Sequence, residues 1–429
     1  MSTRFHDRSS PRLDDVVSRL PSLEGVRPIV DQLLATSVPD AGRRWTASGE
    51  MGTAGSRVVD LDAMRATLGR VIESESARVV RRLERVALVT EALVDGAWDA
   101  AMALLLEEAG VLESEGRSEE ARAFAEAAAR LGIEEGSPRA GEALRRAARC
   151  ARSCGALAEA ITHYESAWHR ALDHGRLTDA VIAATGRGNV SVDRGQWADA
   201  DRWYHRAMEV LESEPGGVPS DEAAGLRWRL FQNLGITARE RGAMAESAAW
   251  YGRAESESAG LGDPAAMIEV QNGIGQLDLA RGEPRRAEVR FRRALSSLDE
   301  LTVVPDAVRV AIRVNLGEAL LRQGRTLEAG DAARGAEAEA LRGRFFGRLP
   351  ETYRLLARVV RARGEIDAFV FLDRAIDLIR AHGLPPYEEA LTLRVYADLR
   401  ADEGEEELAK GARERASQIS DIEPDGDAK

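Results

Sequence analysis

Residues 233–254 read Asn-Leu-Gly-Ile-Thr-Ala-Arg-Glu-Arg-Gly-Ala-Met-Ala-Glu-Ser-Ala-Ala-Trp-Tyr-Gly-Arg-Ala. Gly235 stands seven residues before Gly242, and Ser247, Tyr251 and Ala254 stand five, nine and twelve residues after it. Helical side chains at i, i+4 and i+7 share a face, so the second segment presents one small–aromatic–small stripe. A glycine between two helical patterns ends the first helix and turns the chain. The stretch therefore predicts two antiparallel helices, packed closely through small residues.

The same pattern returns along the chain. After Gly195 come Ala200, Tyr204 and Ala207; after Gly282 come Ala287, Phe291 and Ala294. Other copies read Ala160, Tyr164, Ala167 and Ala329, Ala333, Ala336, and the copy after Gly364 reads Ala368, Leu372, Ala375. Turn glycines fall at Gly116, Gly155, Gly195, Gly242, Gly282, Gly324, Gly364 and Gly404, spaced 39, 40, 47, 40, 42, 40 and 40 residues apart. The longest interval holds Pro215-Gly216-Gly217-Val218-Pro219, which reads as a loop insertion. Seven positions before each turn the residue is small: Ala148, Gly188, Gly235, Gly275, Gly317, Ala357 and Ala397. Two helices per fixed period predict an all-α, right-handed superhelical solenoid of antiparallel hairpins.

This pattern resembles the tetratricopeptide repeat superfamily. The resemblance covers about residues 98–418, some eight repeats, and is sharpest over 181–301. The usual repeat is about 34 residues; the longer period here is similar to the long-helix variety of the bacterial MalT-like regulators and of kinesin light chains. HEAT and armadillo repeats share the period but lack the glycine–alanine–aromatic–alanine spacing. The expected organisation is an N-terminal arm and Gly/Ser/Pro-containing linker at 1–56, capping helices at 57–97, the solenoid at 98–418, and an acidic tail at 419–429. The capping helices are expected at Val58–Arg70 and Ala77–Val94. The next two are expected at Trp98–Glu115 and Ser118–Leu131, stopping at Gly116 and Gly132, with Ser118 as the capping hydroxyl of the second. The charged helix Glu405–Ile419 is expected to give the last repeat a polar outer face.

Composition narrows the function. A formal net charge of −13 speaks against general nucleic-acid binding, and few aromatics interleave with the arginines, which weakens base stacking. No apolar run approaches the roughly 20 residues a membrane span needs. The N-terminal residues read as no signal peptide, and a cytoplasmic protein is expected. Cys150 and Cys154, the two cysteines, are four apart on one predicted helix and read as small packing residues. His163, His169 and His174 are spaced round a helix rather than along a face. No Walker, dinucleotide or zinc-protease motif is present, so neither an enzyme nor a cofactor is expected.

The resemblance implies that the first helices of successive hairpins line a concave groove. Its groove-facing places lie about ten, nine, six and three residues before each turn glycine. At those places stand Asn189, Asn233, Asn272 and Asn315, whose amides offer both a donor and an acceptor to an extended peptide backbone. Arginine trios stand there too: Arg145, Arg149, Arg152 before Gly155, and Arg354, Arg358, Arg361 before Gly364; Arg239 faces the groove beside Asn233. Four neutral amide contacts at about 1 kcal/mol each reach only millimolar affinity, so charge-assisted bonds from arginine to carboxylates would have to add to them. The expected partner is a protein or peptide, bound as an extended acidic segment. The alternatives are a regulatory sensor solenoid, MalT-like, that acts on its effector in trans, and, third in order, nucleic-acid binding on the arginine stripes.

Overall fold

The computed structural model describes residues 96–419 apart from 115–116, 214–219, 302–305, 366–367, 383 and 385, together with Arg85, Leu88, Val89 and Ala92. The expectations for 1–56, Val58–Arg70, most of Ala77–Val94, Gly116, the insertion at 215–219 and the tail beyond Ile419 lie outside these residues. Among the described residues the regular elements are helices: α1 Trp98–Ser114, α2 Ser118–Glu134, α3 Ala140–Ser153, α4 Leu157–Asp173, α5 Leu177–Asp193 and α6 Trp197–Glu212. Then follow α7 Ser220–Glu240, α8 Met244–Leu261, α9 Pro264–Ala280, α10 Pro284–Asp299, α11 Asp306–Arg322 and α12 Thr326–Gly343. A 3-10 turn at Phe346–Arg348 precedes α13 Leu349–Ala362, α14 Ala368–Ala381, α15 Pro386–Asp402 and α16 Glu406–Ile419. None of these helices is long and apolar enough to cross a membrane.

The chain divides into two compact units between Ala151 and Arg152. In the first, α1 packs antiparallel on α2. Two sequence expectations are corrected here. Gly132 does not stop α2, which runs on to Glu134; a side chain at Gly132 would meet the Met102 methyl at 2.7 Å, so this glycine serves packing. Ser118 does not cap α2 either: the N-cap is Arg117, without a side-chain cap bond, while Glu119 and Glu120 occupy the first turn, where the helix dipole favours acids.

The second unit is a row of hairpins, α5/α6, α7/α8, α9/α10, α11/α12, α13/α14 and α15/α16, with α4 before them. Each first helix also touches the first helix of the next hairpin, which makes a continuous layer of α5, α7, α9, α11, α13 and α15. The turn glycines explain the repetition. Gly155, Gly195, Gly242, Gly282, Gly324, Gly364 and Gly404 all hold φ between 69° and 80°, a region where a Cβ is strained. After Gly242 the Ala243 N–H donates to the Ala238 carbonyl at 2.8 Å, closing the helix end, and Gln196, Glu283, Arg325, Glu365 and Glu405 make the equivalent bond.

Packing follows the small–aromatic–small stripe. Tyr204, Tyr251 and Phe291 are buried, each beside alanines that are also buried. A Cβ on Gly188 would lie 2.4 Å from the Tyr204 ring, and one on Gly275 would lie 2.5 Å from Phe291. The rings therefore lie on the backbone of the first helix. Burying a ring of this size stabilises by about 1.5–3 kcal/mol, so these three hairpins each carry their own anchor, while buried Ala333 and Leu372 take the place in α11/α12 and α13/α14.

Candidate functional site

The layer of first helices is the inner face of the second unit. Its curvature is visible in contacts that skip repeats. The Glu269 carboxyl on α9 senses Arg348 at the entrance to α13, across α11. Trp197, at the start of α6, meets Tyr387, at the start of α15, with ring centroids 6.3 Å apart at 81°. Tyr387 in turn lies within electrostatic reach of Arg239 and Glu240 at the end of α7. The row of hairpins thus bends toward its first helices, until the start of α15 meets the turns after α5 and α7.

Residues on this face are open to water yet enclosed. Burial pushes the Glu351 carboxyl above its usual range, against the pull of Arg348, although 27% of its side chain remains open. Burial also raises Glu269, at the equivalent place on α9.

The predicted asparagines bond to one another. Asn315 Nδ2 donates to Asn272 Oδ1 at 2.9 Å, and Asn233 Nδ2 approaches Asn189 Oδ1 at 3.4 Å, each pair joining two first helices. Asn189 Oδ1 also accepts from the Tyr204 hydroxyl at 2.7 Å, so that oxygen is occupied from within. The Asn272–Asn315 bond uses one donor and one acceptor. Among the described residues it leaves the Asn272 amide and the Asn315 carbonyl without further side-chain bonds, one donor beside one acceptor.

The predicted arginines of the second unit are all ion-paired. Arg152 donates to Asp193 at 3.0 Å, Arg358 pairs with Glu318 at 2.8 Å and Arg361 with Glu403 at 3.0 Å. Arg354, only 8% exposed, reaches Glu388 at 2.7 Å and Thr392 at 3.3 Å, tying α13 to α15. In the first unit Arg149 and Arg146 both grip Glu113, at 2.9 and 2.7 Å, and Arg145 is half-buried. The unit boundary separates Arg145 and Arg149 from Arg152. Burial alone would raise the Glu113 carboxyl, but Arg149 and Arg146 hold it below its usual range. These stripes are thus neutralised ladders between helices rather than fields of bare positive charge. The nearby Cys150 thiol is pushed well up by burial and by Glu113.

Arg239 differs from the others. Its Nη1 donates to Gln276 on α9 at 2.5 Å, while Nε and Nη2 grip Glu240, its own exposed neighbour. The Arg239 side chain is only 15% exposed.

Sequence reasoning took Tyr251 as packing and missed its hydroxyl. The ring is wedged between Gly235 of its own hairpin and Gly273 of the next; the missing Cβ atoms would stand 3.0 and 2.4 Å from it. Its oxygen lies on the Gly273 side, within electrostatic reach of Arg239. Burial holds the phenol protonated, its pKa pushed up to about 12. Tyr251 is 1% exposed, and its hydroxyl has no hydrogen-bond partner among the described residues. The signal was present at six residues before the turn. Tyr204 has Asn189 there as acceptor, and Tyr251 has Ile236.

Away from this face, Phe231 and Trp250 stack at 5.7 Å under Arg253, forming a shallow notch with Gly252, Ser256 and Glu257. Arg253 already covers both rings, and no chemistry converges there.

No protein-family profile matches the chain, and no curated protein matches it by sequence. Solved structures do. A Rap protein complexed with competence and sporulation factor aligns at a TM-score of 0.52 and 12% identity, over 95% of this chain and 98% of that one. The Rap conjugation gene regulator of plasmid pLS20, in complex with the Phr* peptide, aligns at 0.52 and 11% identity, over 84% and 90%. The apo form of the quorum sensor NprR from B. thuringiensis aligns at 0.50 and 12%, over 86% and 97%. At these identities the likeness is one of fold alone, a solenoid of helical hairpins.

Proposed function

We propose that this chain is a non-catalytic, peptide-responsive regulator that binds an extended peptide along the inner face of its second unit and acts on its effector in trans. The observation that carries this reading is the Asn272–Asn315 pair, which offers a donor and an acceptor together on the layer of first helices. A peptide bond presents the complementary pair, so the face can hold main chain irrespective of side chains. The Phr* peptide complex of the similar Rap conjugation gene regulator supports the same reading. Between a static scaffold and a sensor, the Trp197–Tyr387 contact favours the sensor. A ligand seated beneath it touches helices far apart in sequence, so binding can bias how tightly the row of hairpins curls.

The paired arginines refine the expected acidity of the ligand. An acidic residue has to displace an internal carboxylate, so the net gain per contact is small except where that carboxylate is exposed. The test is fluorescence anisotropy of labelled hexapeptide libraries on the full chain. Asn272→Ala with Asn315→Ala should weaken the best sequences roughly thirtyfold, at about 1 kcal/mol for each of two amide contacts, with unchanged helical circular dichroism. Affinity that is indifferent to both asparagines would remove the reading.

A further inference from the structure

The Tyr251 hydroxyl is an anomaly within its own repeat series. In the hairpin before it, Tyr204 makes the same passage past Gly188 and finds Asn189. In the hairpin after it the ring is Phe291, with no hydroxyl, and Gln276 at the Asn189 place turns to Arg239 instead. Only Tyr251 combines a hydroxyl with an apolar residue, Ile236, at that place. A buried donor left unsatisfied destabilises the fold, and Phe at this position would avoid that while filling the same space.

What stands beside this donor is equally unusual. Arg239 is held on one side by Gln276, a neutral anchor from the next hairpin, and on the other by Glu240. Glu240 is exposed and adjacent in sequence, a pairing of the kind that contributes at most about 1 kcal/mol. It is a stand-in carboxylate on an otherwise fixed guanidinium. Tyr387, held against Trp197 from the far end of the unit, lies within electrostatic reach of Arg239.

We propose that the Tyr251 hydroxyl and the Arg239 guanidinium form a carboxylate-binding subsite of the inner face, where one carboxylate of an extended peptide replaces Glu240. The subsite rests on the peptide reading above and deepens it. When the incoming carboxylate draws Arg239 off Glu240, one oxygen takes the guanidinium and the other accepts from the phenol. Gln276 keeps Arg239 oriented throughout, and Glu240 turns into solvent.

The test uses the full chain and two probes. N-acetylglycine carries a peptide-like terminal carboxylate; N-acetylglycinamide is its neutral counterpart. In thermal shift at tens of millimolar probe, the wild type should gain stability from the acid and not from the amide. Tyr251→Phe should lose most of that gain while melting no lower than wild type without probe. Ile236→Asn, which supplies the acceptor that Tyr204 enjoys, should also suppress the gain. Hexapeptides then locate the source of the carboxylate. Dependence on a free C-terminus over the C-terminal amide marks the chain end, and dependence on one Asp or Glu position marks a side chain. Either should weaken roughly five- to tenfold in Tyr251→Phe. An acid gain equal in wild type and Tyr251→Phe, or equal for acid and amide, overturns the subsite. Peptides that bind with no carboxylate dependence would also overturn it and leave the peptide reading standing. A selective acid gain without any peptide binding would do the reverse.

Discussion

Gly188 cannot become alanine without moving Tyr204, whose ring stands 2.4 Å from the position of the missing methyl. The displaced atoms are part of a rigid ring, so the strain falls on the hairpin contact, and Gly188→Ala should cost about 1–3 kcal/mol in chemical denaturation. Gly225, on α7, has nothing within 4 Å of the same position. Gly225→Ala should stabilise by about 0.5–1 kcal/mol, because a helical glycine without a packing role only adds unfolded-state freedom. Ionisation gives a second test at this scale. The folded chain raises Glu351 above its unfolded value. The folded state therefore holds an extra proton between the two values, and stability falls as pH rises from the unfolded pKa through the folded one. Glu351→Gln removes that loss. Its melting temperature should exceed wild type at pH 7 and match it below about pH 4.

Between elements, the arginines that looked alike in sequence separate by burial. Arg354 is enclosed at the joint of α13 and α15, with Glu388 and Thr392 as partners. Arg354→Ala leaves Glu388 half-buried and unpaired there, at a cost of about 2–3 kcal/mol. Arg358 is more exposed, and Arg322 also reaches Glu318, at 2.8 Å. Arg358→Ala should cost below about 1 kcal/mol. Equal losses at the two positions would show that burial does not separate them. The hairpins were readable because their signals are local: turn glycine, small residue and aromatic all lie within about twenty positions. The ion pairs of the two trios were not, because their partners lie about a repeat away. Glu318 stands 40 residues before Arg358, and Glu403 stands 42 after Arg361. Read along the chain, those acids look like solvated helix faces.

At the scale of the second unit, the Trp197–Tyr387 contact joins its two ends across the inner face. An edge-to-face pair contributes about 0.5–1.5 kcal/mol beyond its buried area. Trp197→Ala should therefore speed amide hydrogen exchange at the start of α15, while α9 and its hairpin partner α10 stay protected. Unchanged exchange over residues 386–395 would mean that the contact does not hold the curl.

The sequence by itself determined the helices, the positions of their turns and the stripe of residues that anchors each hairpin. Those depend on side chains a few residues apart, whose relative placement a helix fixes. It also identified which first-helix residues belong to one face. The tertiary structure alone decided what those residues do. Stacking the hairpins brought Asn272 to Asn315 and placed a glutamate or aspartate on Arg152, Arg354, Arg358 and Arg361. It also carried Tyr387 to Trp197 and left the Tyr251 hydroxyl beside Ile236 without an acceptor. Each of these depends on the register and curvature of successive repeats. Curvature accumulates from small rotations between hairpins, and no local pattern records their sum.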